Sequence, residues 1–118
     1  MTIKTGALFS PDSYKKATPE QINIIVNGCG SAQAKFDFVP DTIYGLNITP
    51  ACHIHDWMYH FGQDNNDKLE ADRVYLNNML RIINKKRGWL MRLRRFRAWE
   101  YYKLVSMFGG SAFWDPKN

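Results

Sequence analysis

The sequence predicts a mainly α-helical fold in a single domain spanning residues 1–118. Three observations carry that expectation. Between Asp67 and Lys85, Leu69, Leu76, Met79 and Ile83 fall within about 80° of one another on a helical projection, the signature of one buried face. Thr18-Pro19-Glu20 and Thr49-Pro50 each place a hydroxyl residue before a proline, the usual opening of a helix. Gly62 followed by the polar turn Gln63-Asp64-Asn65-Asn66 leaves two long helices joined by a short connection, which makes them antiparallel neighbours.

The elements follow in order. Residues 1–17 show no period and read as an irregular arm. A short helix starts at Thr18, carries Ile22, Ile25 and Val26, and stops at Asn27-Gly28. Residues 28–48 contain Gly28, Gly30, Pro40 and Gly45 and read as a long loop; Phe36, Phe38, Val39, Ile43 and Tyr44 give it apolar residues to pack with. A second helix runs from Thr49 to about Phe61. Asp67-Lys68-Leu69-Glu70 resembles a capping box for the third, which ends near Lys86-Arg87-Gly88. A fourth runs from Trp89 to about Phe108, before Gly109-Gly110. On it Trp89, Leu90, Leu93, Tyr101, Leu104, Val105 and Phe108 share a broad face into which Arg94, Arg97 and Glu100 intrude.

At 118 residues with 45% hydrophobic content, the chain is long enough for one core and too apolar for wholesale disorder. The longest aliphatic run, Ile24-Ile25-Val26, is far short of a membrane span, and Ala7-Leu8-Phe9 is too short for a signal-peptide core. Two cysteines, Cys29 and Cys52, allow one bridge but not a disulfide scaffold. The net charge of +5 is uneven. From Lys85 to Arg97 the chain has seven basic residues and no acid, so the remainder sums to −2. That segment, interleaved with Trp89, Leu90, Met91, Leu93 and Phe96, suits an anionic surface, either a membrane interface or nucleic acid. No nucleic-acid motif accompanies it.

The chemistry concentrates in Ala51-Cys52-His53-Ile54-His55-Asp56-Trp57-Met58-Tyr59. With His55 as origin, Tyr59 falls at about 40°, Cys52 at about 60° and Asp56 at about 100°, so one face carries an imidazole, a phenol, a thiol and a carboxylate. Asp72 sits in the middle of the next helix's apolar stripe. A buried carboxylate needs a partner, and a histidine on the neighbouring helix is the obvious one. A carboxylate on one imidazole nitrogen fixes the tautomer and leaves the other to act as a base. The blander reading is an Asp that caps a loop or binds a core tyrosine. A transition-metal site from His53, His55, Asp56 and His60 is a further alternative, but His53 and His55 point about 160° apart on a helix.

Cys52-His53-Ile54-His55-Asp56 with Tyr59, preceded by Asn27-Gly28-Cys29-Gly30-Ser31 and followed by Ala71-Asp72-Arg73, resembles the secreted-type phospholipase A₂ superfamily over about residues 20–85. The style is that of its small prokaryotic and phage-associated members. The resemblance implies a phospholipase A₂-like fold, with the His/Asp site on two antiparallel helices preceded by a Gly/Cys metal-binding loop. It implies Ca²⁺-dependent hydrolysis of the sn-2 ester of glycerophospholipids, with His55 as base, Asp72 orienting it and Tyr59 holding Asp72. Asp56 would bind Ca²⁺ with backbone carbonyls at Gly28, Gly30 and Ala32. It also implies a Cys29–Cys52 bridge and a phospholipid membrane surface as partner; such a bridge and Ca²⁺ use favour a secreted or extracytoplasmic setting, although no signal peptide is visible and the sequence does not fix the compartment. The chain departs from the family at Ser31-Ala32-Gln33-Ala34, where a double glycine is usual, and lacks the dense disulfide set. A membrane-binding module without catalysis and a small basic nucleic-acid-binding or partner-binding protein are the competing functions.

Overall fold

Six helices and a two-residue-by-two-residue hairpin make up the computed structural model, which describes residues 8–25 and 42–114. In order they are α1 (Asp12–Lys16), α2 (Pro19–Ile25), β1 (Thr42–Ile43), β2 (Leu46–Asn47), α3 (Thr49–Phe61), α4 (Asn65–Lys86), α5 (Met91–Phe108) and α6 (Gly110–Trp114). The fold is mainly helical, as the periodicity implies. The stop of α2 at Asn27-Gly28 and the loop aromatics Phe36, Phe38 and Val39 lie outside the described residues.

The helices α3 and α4 form the platform for the site. Cys52 approaches Tyr75 while His55 approaches Asp72, so residue numbers rise on one helix as they fall on the other, and the pair is antiparallel. By the same criterion α5 runs antiparallel to α4, with Arg95 bonded to Asn84 at one end and Lys68 bonded to Val105 at the other. The main core is where these helices meet, around Ala51, Ala71, Tyr75, Met79, Ile83, Ala98 and Val105. Burying each of the larger side chains contributes about 1.5–3 kcal/mol.

Three expectations need correction. The capping box lies one turn earlier than Asp67–Glu70. Asp64, in extended conformation, accepts from the Asp67 backbone N–H at 2.9 Å, and the Asp67 carboxylate accepts from the Asp64 N–H at 3.3 Å. Glu70 is occupied instead by Arg73. The arm is not wholly irregular. Asn78, buried on α4, clamps the Phe9 backbone through its N–H (2.8 Å) and C=O (2.9 Å), and the short α1 is pinned by a Trp57 Nε1–H bond to Ser13 Oγ at 3.0 Å.

Within the stretch read as a loop, Thr42 pairs with Asn47 and Ile43 with Leu46. Tyr44 and Gly45 both have positive φ, 47° and 79°, which is the backbone of a type I′ hairpin turn. Finally, α5 divides its broad aromatic-aliphatic face between core and surface. The buried stripe is Arg94, Ala98, Tyr101 and Val105, while Trp89 is 88% exposed and Leu93 and Phe108 about half exposed. The hairpin is the reason. Arg94 donates to the Ile43 carbonyl (3.1 Å) and the Tyr44 carbonyl (2.7 Å), and the Tyr101 hydroxyl donates to the Thr42 carbonyl (3.1 Å). Those contacts turn α5 toward β1, and small Ala98 lets its backbone approach.

Gly62 ends α3 with an ordinary φ of −67°, so its role is space. A Cβ there would stand 2.6 Å from the buried Phe113 ring, which reaches back from α6.

Arg94 is thus a structural residue, unlike its neighbour Arg92. Arg94→Met should lower stability in urea titration by about 1–3 kcal/mol, because it strips donors from buried carbonyls. Arg92→Met should stay within about 0.5 kcal/mol of wild type. Equal, small effects would show that the hairpin is held by other contacts.

Candidate active site

The polar residues of α3 meet the aspartate of α4 in the core. His55 Nε2 lies 2.8 Å from Asp72 Oδ1, and the Tyr59 hydroxyl donates to the same oxygen at 2.6 Å. His55, Tyr59 and Asp72 are each less than 5% exposed. The one-turn spacing of His55 and Tyr59 sets both donors over one carboxylate, which is why the helical projection found them. Tyr59 and Tyr75 flank the imidazole, with ring centroids at 4.1 Å and 4.6 Å.

Lys68 completes the cluster, and sequence reasoning missed it. Its Nζ donates to Asp72 Oδ2 at 2.8 Å and to the carbonyls of Val105 and Ser106, both at 3.3 Å. The ammonium therefore has a partner for each of its three N–H groups. Two of those partners are carbonyls of the last turn of α5, where the helix dipole is negative. No basic residue of α5 occupies that turn, so α4 supplies the cation. The available signal was Lys68 at i−4 from Asp72, on the same buried face.

Gly109 lets this corner close. A Cβ there would press on the Val105 carbonyl oxygen and come within 2.7 Å of the Tyr59 hydroxyl. Phe113 seals the far side of Tyr59, edge-on at 5.2 Å.

The electrostatics follow from these contacts. Burial alone pushes the Asp72 carboxyl up, but the hydrogen bond and charge of His55, with hydrogen bonds from Lys68 and Tyr59, outweigh it and hold the group below the usual carboxylate value. Burial first, then the charge and hydrogen bond of Asp72, drive the Tyr59 hydroxyl far above the ordinary phenol range, so Tyr59 is a fixed donor. With Asp72 on Nε2, the ring nitrogen left to act as a base is Nδ1.

Asp56, the next residue on α3, is half-buried, and its charge also raises Tyr59. The expected loop ligands Gly28, Gly30 and Ala32, and the bridge partner Cys29, lie outside the described residues. Cys52 is buried with Sγ 3.6 Å from the Tyr75 hydroxyl. Among the described residues no three His, Cys, Asp or Glu side chains gather as a metal-binding group. His60 is exposed and packs edge-on against Phe61 at 4.8 Å, and Trp57 is committed to Ser13.

Comparisons with protein-family models, with curated proteins and with solved structures find no match to this chain. The functional reading therefore rests on the residues and their geometry.

Lys68→Met should cost about 3–5 kcal/mol at pH 7, since it leaves one member of a buried ion pair uncompensated. The Asp72 carboxyl is depressed in the folded state. Its stabilising contribution is therefore complete above about pH 4, near the unfolded value, and is lost as pH falls through the folded one. The penalty of Lys68→Met should shrink over that acid range. A pH-independent penalty in denaturant titrations would mean that Lys68 acts through packing alone.

Proposed function

We propose that this protein is a Ca²⁺-dependent hydrolase of the sn-2 ester of glycerophospholipids, in the manner of the phospholipase A₂ superfamily. The observation that carries the reading is the His55–Asp72 hydrogen bond, with Tyr59 on the same carboxylate oxygen and Asp56 adjacent on α3. The pattern has an imidazole whose tautomer is set by an ionised carboxylate, itself fixed by a phenol and an ammonium.

Asp72 holds the Nε2 proton, so His55 accepts through Nδ1. Nδ1 takes a proton from water as the water oxygen attacks the ester carbonyl. The resulting imidazolium is stabilised by the Asp72 carboxylate. It returns the proton to the departing glycerol oxygen as the carbon–oxygen bond breaks, giving a fatty acid and a lysophospholipid. Burial of the pair keeps its hydrogen bonds strong, because a water-poor surrounding screens them little.

Asp56 would supply the hard carboxylate oxygen that Ca²⁺ prefers, and the resemblance gives backbone carbonyls at Gly28, Gly30 and Ala32 as the remaining protein ligands. When bound, the ion polarises the ester carbonyl and stabilises the charge that develops on its oxygen. A single carboxylate fits weak binding, with Kd of about 10⁻⁴–10⁻³ M. A Cys29–Cys52 bridge would tie that loop to α3, and both it and Ca²⁺ use suit an extracytoplasmic setting.

Fatty-acid release from a dispersed short-chain phospholipid, with Ca²⁺ and with chelator, tests the reading. His55→Ala should lose at least about 10²–10⁴-fold in rate, and Asp56→Asn should lose the response to Ca²⁺. Undiminished hydrolysis in chelator would remove the metal role. No Ca²⁺-stimulated release from wild type would remove the hydrolase reading as a whole.

A further inference from the structure

The side of α5 turned away from the core is not a normal solvent face. With the buried stripe of Arg94, Ala98, Tyr101 and Val105 on one side, the diametrically opposite sector carries Leu93, Phe96, Trp99 and Met107, interleaved with Arg92 and Lys103. Phe96 is 61% exposed and Met107 66% exposed, and the still more open Trp89 stands at the α4–α5 turn. A surface helix ordinarily turns its apolar residues inward; this one presents large apolar side chains in both directions.

The charges on that sector identify what covers it. Glu100 is the only acid in α5, and Arg97 binds it at 2.8 Å. Arg92 and Lys103 are exposed beside the aromatics. Arg95, flanking the sector, bonds to neutral Asn84 and pairs with no acid among the described residues. A second copy of this chain would set the same cations against each other across a two-fold contact. An anionic bilayer complements both components at once: phosphate headgroups for the cations and the acyl boundary for Phe, Trp, Leu and Met. No helix among the described residues is long and apolar enough to cross a membrane.

We propose that the outer face of α5, from Arg92 to Met107, docks flat on an anionic phospholipid bilayer. This rests on the hydrolase reading for its purpose but not for its evidence, since the face is defined by exposure and charge alone. Arg94, although inside the basic run, takes no part, because its guanidinium is spent on the hairpin carbonyls.

Co-sedimentation with phosphatidylglycerol–phosphatidylcholine vesicles, in a His55→Gln background that leaves the lipid intact, tests the docking. Binding should exceed that to pure phosphatidylcholine. It should fall at least about tenfold in Phe96→Ser/Trp99→Ser and, at low salt, in Arg92→Glu/Lys103→Glu, with helical circular dichroism unchanged. Vesicle binding without any hydrolysis by wild type would support the docking face and remove the hydrolase. Hydrolysis of dispersed short-chain lipid without vesicle binding would overturn the docking face and leave the hydrolase. Three other results would also overturn it: vesicle binding indifferent to both double variants, salt-dependent binding to DNA in place of vesicles, or a dimer that Phe96→Ser/Trp99→Ser dissociates.

Discussion

The structure turns on one buried negative charge. Asp72 occupies the middle of the apolar stripe of α4 and is 1% exposed. Removing a carboxylate from water costs several kcal/mol unless its oxygens are met by donors. Here they are met from two helices: His55 and Tyr59 from α3 on one oxygen, Lys68 from α4 on the other. Lys68 passes the constraint to a third helix by binding the end of α5. The relative placement of α3, α4 and α5 is thus written into the coordination of a single side chain. Gly109 is part of that arrangement, because any Cβ there would strike the Tyr59 hydroxyl.

Much of this was legible in the sequence, for reasons that can be named. His55, Tyr59 and Asp72 could be grouped because helical spacing puts the first two on one face and sets an anomalous carboxylate among leucines and isoleucines. The Thr49-Pro50 start and Gly62 end of α3 fall where the sequence places them, although no side chain caps the start and Gly62 is required for space beside Phe113. The start of α4 was not legible, because Asp64-x-x-Asp67 and Asp67-x-x-Glu70 are overlapping capping patterns, and only the extended backbone at Asp64 selects the first. Lys68 was hidden by the same ambiguity, since it was read as part of a cap rather than as a member of the Asp72 face.

The least legible element was α5. Its apolar residues surround it, so periodicity offers no single buried side. The choice is made by partners distant in sequence, the Thr42, Ile43 and Tyr44 carbonyls of the hairpin, which Tyr101 and Arg94 satisfy. A run of arginines that looks uniform therefore divides by environment, with Arg94 in the core and Arg92 in solvent. The helix that anchors the site from behind through Val105 and Ser106 also carries the exposed aromatics, so the buried cluster and the outer apolar-basic face share one rigid rod.

The hydrolase reading depends on an ionised Asp72 setting the tautomer of His55. Nitrogen-15 NMR of the His55 imidazole at neutral pH tests it most directly. The expected result is a ring protonated on Nε2, with a deshielded proton in a strong hydrogen bond and an unprotonated Nδ1, and loss of this preference in Asp72→Ala. A wild-type ring carrying its proton on Nδ1, or one whose tautomer is indifferent to Asp72, would contradict it.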